Sequence, residues 1–191
     1  MSHHFFAYLA RMRYIGRWSL MRSSIPENVQ EHSHMVAVLA HALAVIRRDV
    51  LGRAADPGAC AAAALFHDAS EILTGDMPTP VKYYNPGIRD AYRGVEDMAR
   101  DKLLSMLPDA LLPAYTPLLR EEDGEVRALV KAADKLAAYI KCVEELKAGN
   151  TEFKQAAEQT LALLHDMAMP ELDYFLAHFL PGFSLSLDEL N

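Results

Sequence analysis

Cysteine is scarce: the 191-residue chain has two, Cys60 and Cys142, in separate helical patterns. Their spacing excludes a disulfide framework and a cysteine-based zinc pair, and a reducing cytoplasm is the expected setting. Basic charge is also short, with 19 Lys and Arg against 26 Asp and Glu for a net charge of -7. A long polyanion is therefore not held through a general positive field, which excludes nucleic-acid polymers while leaving a small charged ligand open. Long apolar runs are missing too. Uncharged stretches such as Met35 to Ile46 and Gly58 to Phe66 fall short of the roughly 20 residues that cross a bilayer. No membrane association is expected. The opening Met-Ser-His-His-Phe-Phe lacks a basic region leading into an apolar one, so it does not read as a secretion signal. Sustained apolar and polar alternation is absent, and β-branched residues are sparse, which argues against strands.

What the chain has is helical period and ample apolar content, 51%. Val36, Leu39, Leu43 and Ile46 follow three-and-four spacing within Val29 to Val50, and Gly52 ends the pattern. Asp56-Pro57 and Asn85-Pro86 each supply an N-cap and a proline in the first turn. The first of these opens a helical run for which Gly75 is the stop, and the second opens a helix to about Leu107. Pro108, Pro113 and Pro117 are expected to break the next stretch into short pieces. The stripe Leu129, Ala133, Leu136, Ile140 and Val143 resumes the helix from Glu125 to Gly149-Asn150. Thr151 to Met167 and Glu171 to Leu180 read as two further helices. The expectation is an all-α fold, one domain over residues 1–191, with about six to nine helices.

Three ionisable groups end an apolar run in "ALFHDASEILTGDMPTP". His67 and Asp68 are consecutive, so on a helix they leave the axis about 100° apart and can share a cation between an imidazole nitrogen and a carboxylate oxygen. Glu71 stands one turn on from His67, beside such a site, where a general acid or base is useful. The alternative is a helix-end polar cluster that holds no metal. Of the eight histidines, His3, His4, His165 and His178 lie at a terminus or beside no carboxylate cluster. His34 and His41 share one helix face, and His32 is rotated away from His41. Farther on, Asp134 borders the apolar face between Ala133 and Leu136 rather than the open side with Lys141 and Glu144. Carboxylates are rarely buried without a partner or a metal. Lys135 is one such partner.

The order His32, His67-Asp68, Asp134 on a helical frame resembles the HD-domain superfamily of metal-dependent phosphohydrolases. The phrases "RWSLMR", "ENVQEHS", "LFHDASEILTGDMPTPVKYYN", "YIKCVEELKAGN" and "PGFSLSLDEL" look like the bacterial 5'-deoxynucleotidase family, and the likeness runs from about Phe5 to Leu190. The stretch from Leu111 to Glu125 carries none of these phrases. The resemblance implies hydrolysis of deoxyribonucleoside 5'-monophosphates, broad for the base and selective against ribonucleotides. It implies His32, His67, Asp68 and Asp134 as ligands of one divalent cation. Two-metal relatives need extra histidines after the HD pair, and none occurs here between His67 and His165. Manganese, cobalt or another first-row ion suits two imidazoles and two carboxylates.

In this likeness Glu71 handles the proton of the attacking water or the leaving oxygen, with Asp68 sharing that work. Arg17 clamps the phosphate, since a guanidinium matches phosphate bidentately, and Arg22 is a second candidate. Trp18, the single tryptophan, fills the space of a ribose 2'-hydroxyl. Asp76 accepts from the sugar 3'-hydroxyl, held by a loop that adds Met77, Pro78, Thr79 and Pro80 to the substrate-binding residues. His32, Asp68 and Asp134 meet the phosphate side. A homodimer is expected through Met77 and the closing "FLAHFLPGF". Two other readings stand beside this one: an HD phosphohydrolase for a cyclic nucleotide, a triphosphate or an alarmone, and a non-catalytic HD module that binds nucleotide.

Overall fold

Four helix starts share one chemistry. The side chains of Asn28, Asp56, Asn85 and Asp123 accept hydrogen bonds from the backbone N–H groups of Glu31, Ala59, Ile88, and Glu125 with Val126, satisfying donors that a helix start leaves orphaned. At Asn28 the box is reciprocal, because Glu31 accepts from the Asn28 N–H. A computed structural model describes residues 3–82, 84–120 and 122–190, and of Thr79 the backbone alone.

In chain order the helices are α1 (Phe5–Leu9), α2 (Val29–Val45), α3 (Pro57–Phe66), α4 (Glu71–Thr74) and α5 (Thr79–Lys82). They continue as α6 (Pro86–Leu104), α7 (Leu112–Arg120), α8 (Gly124–Lys147), α9 (Lys154–Asp166) and α10 (Pro170–His178). Seven of these, among the described residues, run nine residues or more. Extended pairing among the described residues is limited to a bridge between Gly16 and Asn28. The fold is all-α, as the period implied.

The main core lies between α2, α3 and α8, and small residues make it close. Ala37, Ala40 and Ala44 of α2 meet Ala63 and Ala64 of α3 and Ala132, Ala133 and Ala137 of α8. Without bulk at these positions the axes approach, and the polar groups His32, His67 and Asp134 at the edges of the three helices come within reach of one another. Leu39, Leu43, Leu129, Leu136 and Leu164 fill the remaining space, and truncating any of them to Ala typically costs about 2–5 kcal/mol. Phe175, Leu176, Leu180 and Phe183 also pack here. Much of the closing segment expected at a dimer surface is thus spent on the chain's own core, while Phe179 stays half exposed.

Three local expectations are corrected. The helical run from Asp56 toward Gly75 is broken at His67–Ser70, where the ladder tightens to Ala69 N–H on Phe66 O and Glu71 N–H on Asp68 O. The cause is visible in Ala64, whose carbonyl faces His67 Nδ1 at 2.7 Å and also receives the His67 N–H. Pro117 does not end α7. It removes one N–H, and burial of Leu119 on the same helix, with Leu103 and Phe5, outweighs that loss.

Lys141 is the third correction, for it lies buried rather than on the open side. Its ammonium donates to Glu145 Oε1 at 2.5 Å and to Ile25 O at 2.6 Å. Glu145 accepts further bonds from Ser24 N, Ile25 N and Asn150 Nδ2. These donors hold its carboxyl well below the usual range against the opposing effect of burial. The pair moors the loop that carries Arg17 and Trp18 onto α8. Glu145→Ala leaves a buried ammonium without its carboxylate and is expected to cost about 3–5 kcal/mol, read as a lowered midpoint in chemical denaturation.

Candidate active site and metal centre

His32 enters the site from the first turn of α2 and is fully buried. His34 and His41, on the other faces of that helix, are exposed and take no part. His67 follows the end of α3, and the hydrogen bond of its Nδ1 to Ala64 O fixes the ring. That bond makes Nδ1 the donor and turns Nε2 into the site, where it is buried and without a hydrogen-bond partner. Asp68 Oδ2 lies 3.1 Å from His67 Nε2 and 3.7 Å from His32 Nε2. Ligand atoms of His32, His67 and Asp68 all fall within 4.8 Å of one another. Asp134, from α8, joins through His32 Nε2 at 3.1 Å, while its other oxygen takes Lys135 Nζ at 2.8 Å.

Charge in this cluster is polarised. Burial works against both aspartates ionising, yet the imidazoles overcome it: His67 and His32 lower Asp68, and His32 with Lys135 lowers Asp134 well below the ordinary value. For His67 burial also opposes the charge, and Asp68 and Asp134 reverse it and raise the pKa. Nε2 faces a buried carboxylate at 3.1 Å, so positive charge belongs between them: a proton on the imidazole, which Asp68 and Asp134 favour, or a cation that takes the proton's place. The orphaned Nε2 and two ionised carboxylates therefore fit a divalent cation, in the nitrogen and oxygen donor set that first-row ions accept. His67 Nδ1 on the Ala64 carbonyl is the outer-sphere contact such a ligand uses.

Glu71 opens α4 just past the broken turn, and its Oε2 is buried without a partner. Burial, then the charges of Asp68 and Asp76, push its carboxyl up to about 9. Near neutral pH it holds its proton until positive charge arrives nearby. Asp76 follows Gly75, whose φ of 72° turns the chain sharply out of α4. Its carboxyl is raised by burial, with Arg17 pulling the other way. Met77 and Pro78 are half-buried and Pro80 is exposed; the Thr79 side chain, also expected at the substrate, lies outside the described residues.

Arg17 reaches across from the loop before α2. Its Nη1 stands 3.5 Å from Asp68 Oδ2 and its Nε donates to Glu27 Oε2 at 3.1 Å. Burial lowers the guanidinium pKa, but Asp68, Asp134, Glu27 and Asp76 outweigh it and leave it raised. Trp18 adopts φ 59°, a region that costs a bulky residue about 1–3 kcal/mol and persists only where contacts enforce it. Those contacts are Glu27 Oε2, which accepts from the indole N–H at 2.9 Å, and the Phe153 ring at 5.2 Å. Arg22 is exposed, and its backbone is tied to Glu152 and Asn150.

Glu27 was missed in the sequence. It sits one residue before the Asn28 cap, where an acid reads simply as favourable to a helix start; its ten-residue separation from Arg17 fits no helical or strand period. A separate cavity of about 210 Å³ behind the same loop is lined by Ile25, Glu31, Met35 and Ile140, with Glu27 in its wall. It contains no histidine, and Lys141 and Glu145 line it as well, so it borders the loop's mooring rather than the histidine cluster.

Comparison with known proteins bears on the family and the fold. The family description "5'-deoxynucleotidase YfbR-like" matches residues 4–183. A 5'-deoxynucleotidase of Vibrio parahaemolyticus is 51% identical over 193 residues, covering 98% of each chain. The 5'-deoxynucleotidase YfbR of Salmonella typhi is 49% identical over 190 residues, covering 98% of this chain and 96% of that one. Among solved structures, an HD-domain phosphohydrolase from Listeria innocua superposes with a TM-score of 0.81 at 27% identity, over 94% of this chain and 88% of the other. A cyanophage S-2L HD phosphohydrolase bound to dA and one catalytic Zn2+ ion shares the fold, with a TM-score of 0.62 at 22% identity over 92% and 96% of the two chains. With half its residues shared along nearly the full length and the histidines and aspartates gathered at one point, the chain belongs to the 5'-deoxynucleotidase YfbR-like family of HD-domain phosphohydrolases.

Proposed function

We propose that this single-domain hydrolase, over residues 1–191, removes phosphate from deoxyribonucleoside 5'-monophosphates, tolerating different bases and disfavouring ribonucleotides. The observation that carries this reading is the meeting, in one buried cluster, of His67 Nε2, the Glu71 carboxyl and the Arg17 guanidinium in a chain half-identical to 5'-deoxynucleotidases. In it His32, His67, Asp68 and Asp134 hold one divalent cation, with manganese or cobalt our choice of ion. When bound, such a cation supplies Lewis acidity toward water and toward a phosphate oxygen.

The chain's own residues do the rest. Arg17 grips the phosphate and neutralises its charge. Glu71 takes the proton of the water that attacks phosphorus in line, and the proton passes to the 5'-oxygen as the phosphorus–oxygen bond to the sugar breaks. Asp68 shares that proton through its free oxygen. Trp18 stands where a ribose 2'-hydroxyl would lose water contacts without replacement, and Asp76 accepts from the 3'-hydroxyl, with Met77, Pro78, Thr79 and Pro80 framing the sugar. Arg17→Ala is expected to raise the barrier by about 2–4 kcal/mol, the scale of a lost charged clamp; steady-state kinetics with dAMP checks it.

A panel of dAMP, AMP, dATP and cyclic AMP, assayed for phosphate release after chelation and resupply of manganese or cobalt, tests the substrate reading. Strong preference for dAMP is expected; equal turnover of AMP removes Trp18 from its role, and a preference for dATP or cyclic AMP moves the enzyme to another HD activity. No helix among the described residues is long and apolar enough to cross a membrane. Two buried, unpaired cysteines, both thiols pushed up to about 11 by burial, favour a cytoplasmic setting. A homodimer uses the apolar groups left exposed, Phe179 among them, and sedimentation reads it directly.

A further inference from the structure

One carboxylate oxygen serves two neighbours with different tasks. Glu27 Oε2 accepts from Arg17 Nε at 3.1 Å and from Trp18 Nε1 at 2.9 Å. The same residue's carbonyl accepts from the Arg17 N–H at 2.9 Å. Engaging Nε fixes the plane of the guanidinium and leaves the terminal nitrogens for an anion, and Nη1 already points toward Asp68. The indole N–H is the only polar handle Trp18 has. Its ring is held there by Glu27 and against Phe153 on another side, in a left-handed backbone conformation that needs such enforcement.

We infer that Glu27 is the positioning residue that sets the phosphate clamp and the sugar wall together, so that affinity for the phosphate and rejection of the 2'-hydroxyl rise and fall as one property. This rests on the roles given above to Arg17 and Trp18. The backbone frame does not depend on the carboxylate: Arg17 N–H to Glu27 O, Val29 N–H to Ile15 O and the Asn28 cap all remain when the side chain is shortened. Glu27 also stands outside the group of His32, His67 and Asp68, so its loss leaves the metal ligands in place.

The test uses the full chain loaded with manganese, as wild type, Glu27→Ala and Glu27→Gln. Three quantities are read: metal content, KM and kcat for dAMP and AMP, and the emission of Trp18, which the presence of one tryptophan makes unambiguous. Glu27→Ala is expected to keep its metal, raise KM for dAMP about tenfold or more, as losing a charge-assisted hydrogen bond does, and cut the dAMP over AMP preference about tenfold, with red-shifted emission. Glu27→Gln keeps an oxygen at the same place and is expected to recover most of the preference and the emission. A selective wild type whose KM, preference and emission all survive Glu27→Ala overturns the inference and leaves the deoxynucleotidase reading standing. A wild type that hydrolyses AMP as readily as dAMP overturns the role of Trp18, and the inference falls with it. If Glu27→Ala does not fold, Glu27→Asp decides, because the shorter side chain draws the carboxylate away from both donors: a raised KM with a changed emission supports the assignment, and kinetics and emission identical to wild type contradict it.

Discussion

Glu71→Gln is expected to lower kcat for dAMP by about 10²- to 10⁴-fold, the span that a positioned general acid or base contributes, while metal content and KM stay near wild type. The amide keeps the size of the side chain in a site only 8% exposed, so packing is preserved. It cannot take or give the proton. The environment argues that this proton is poised: burial and the charges of Asp68 and Asp76 hold the carboxyl up to about 9, and a bound cation supplies the positive charge that brings it down toward working pH. Replacing a buried carboxyl with a neutral amide is not expected to lower thermal stability, which separates a lost proton shuttle from a damaged fold. Full activity in this variant removes Glu71 from the reaction.

Asp134→Asn is the second large effect. If Asp134 is a ligand, neutralising it lowers affinity for the cation by more than the 10- to 100-fold that changes to outer partners bring, and turnover vanishes at ordinary metal concentration and returns in part at high concentration. The competing explanation is local: Lys135 Nζ stands 2.8 Å away and accounts for a half-buried aspartate without any metal. Lys135→Ala distinguishes them. It is expected to leave the metal content unchanged, because His32 Nε2 at 3.1 Å, not the lysine, ties Asp134 to the cluster. Metal loss in Lys135→Ala with retention in Asp134→Asn reverses the assignment. Titration calorimetry with manganese on chelated protein reads both.

The helical frame was legible because its signals are local. Asp56 and Asn85 marked helix starts through side chains that cap within three residues, and the apolar stripes of α2 and α8 showed their faces by period. His32, His67, Asp68 and Asp134 could be named from order and likeness, and they meet because the alanines of α2, α3 and α8 let three axes close. What stayed hidden depends on contacts far apart in the chain. Lys141 looked solvated by its charge, and only the Ser24–Ile25 loop, more than a hundred residues earlier, shows why it is buried with Glu145. Glu27 gave no periodic sign of holding Arg17 and Trp18. The break at His67–Ser70 arises from a side chain competing for the Ala64 carbonyl, an event that helix propensity does not encode.

The convergence of His32, His67, Asp68 and Asp134 on a single cation is tested most directly by titrating chelated protein with manganese while following phosphate release from dAMP. Activity is expected to start at zero and to plateau at one equivalent per chain. A plateau at two equivalents, full hydrolysis before any ion is added, or silence with manganese, cobalt and zinc alike contradicts it.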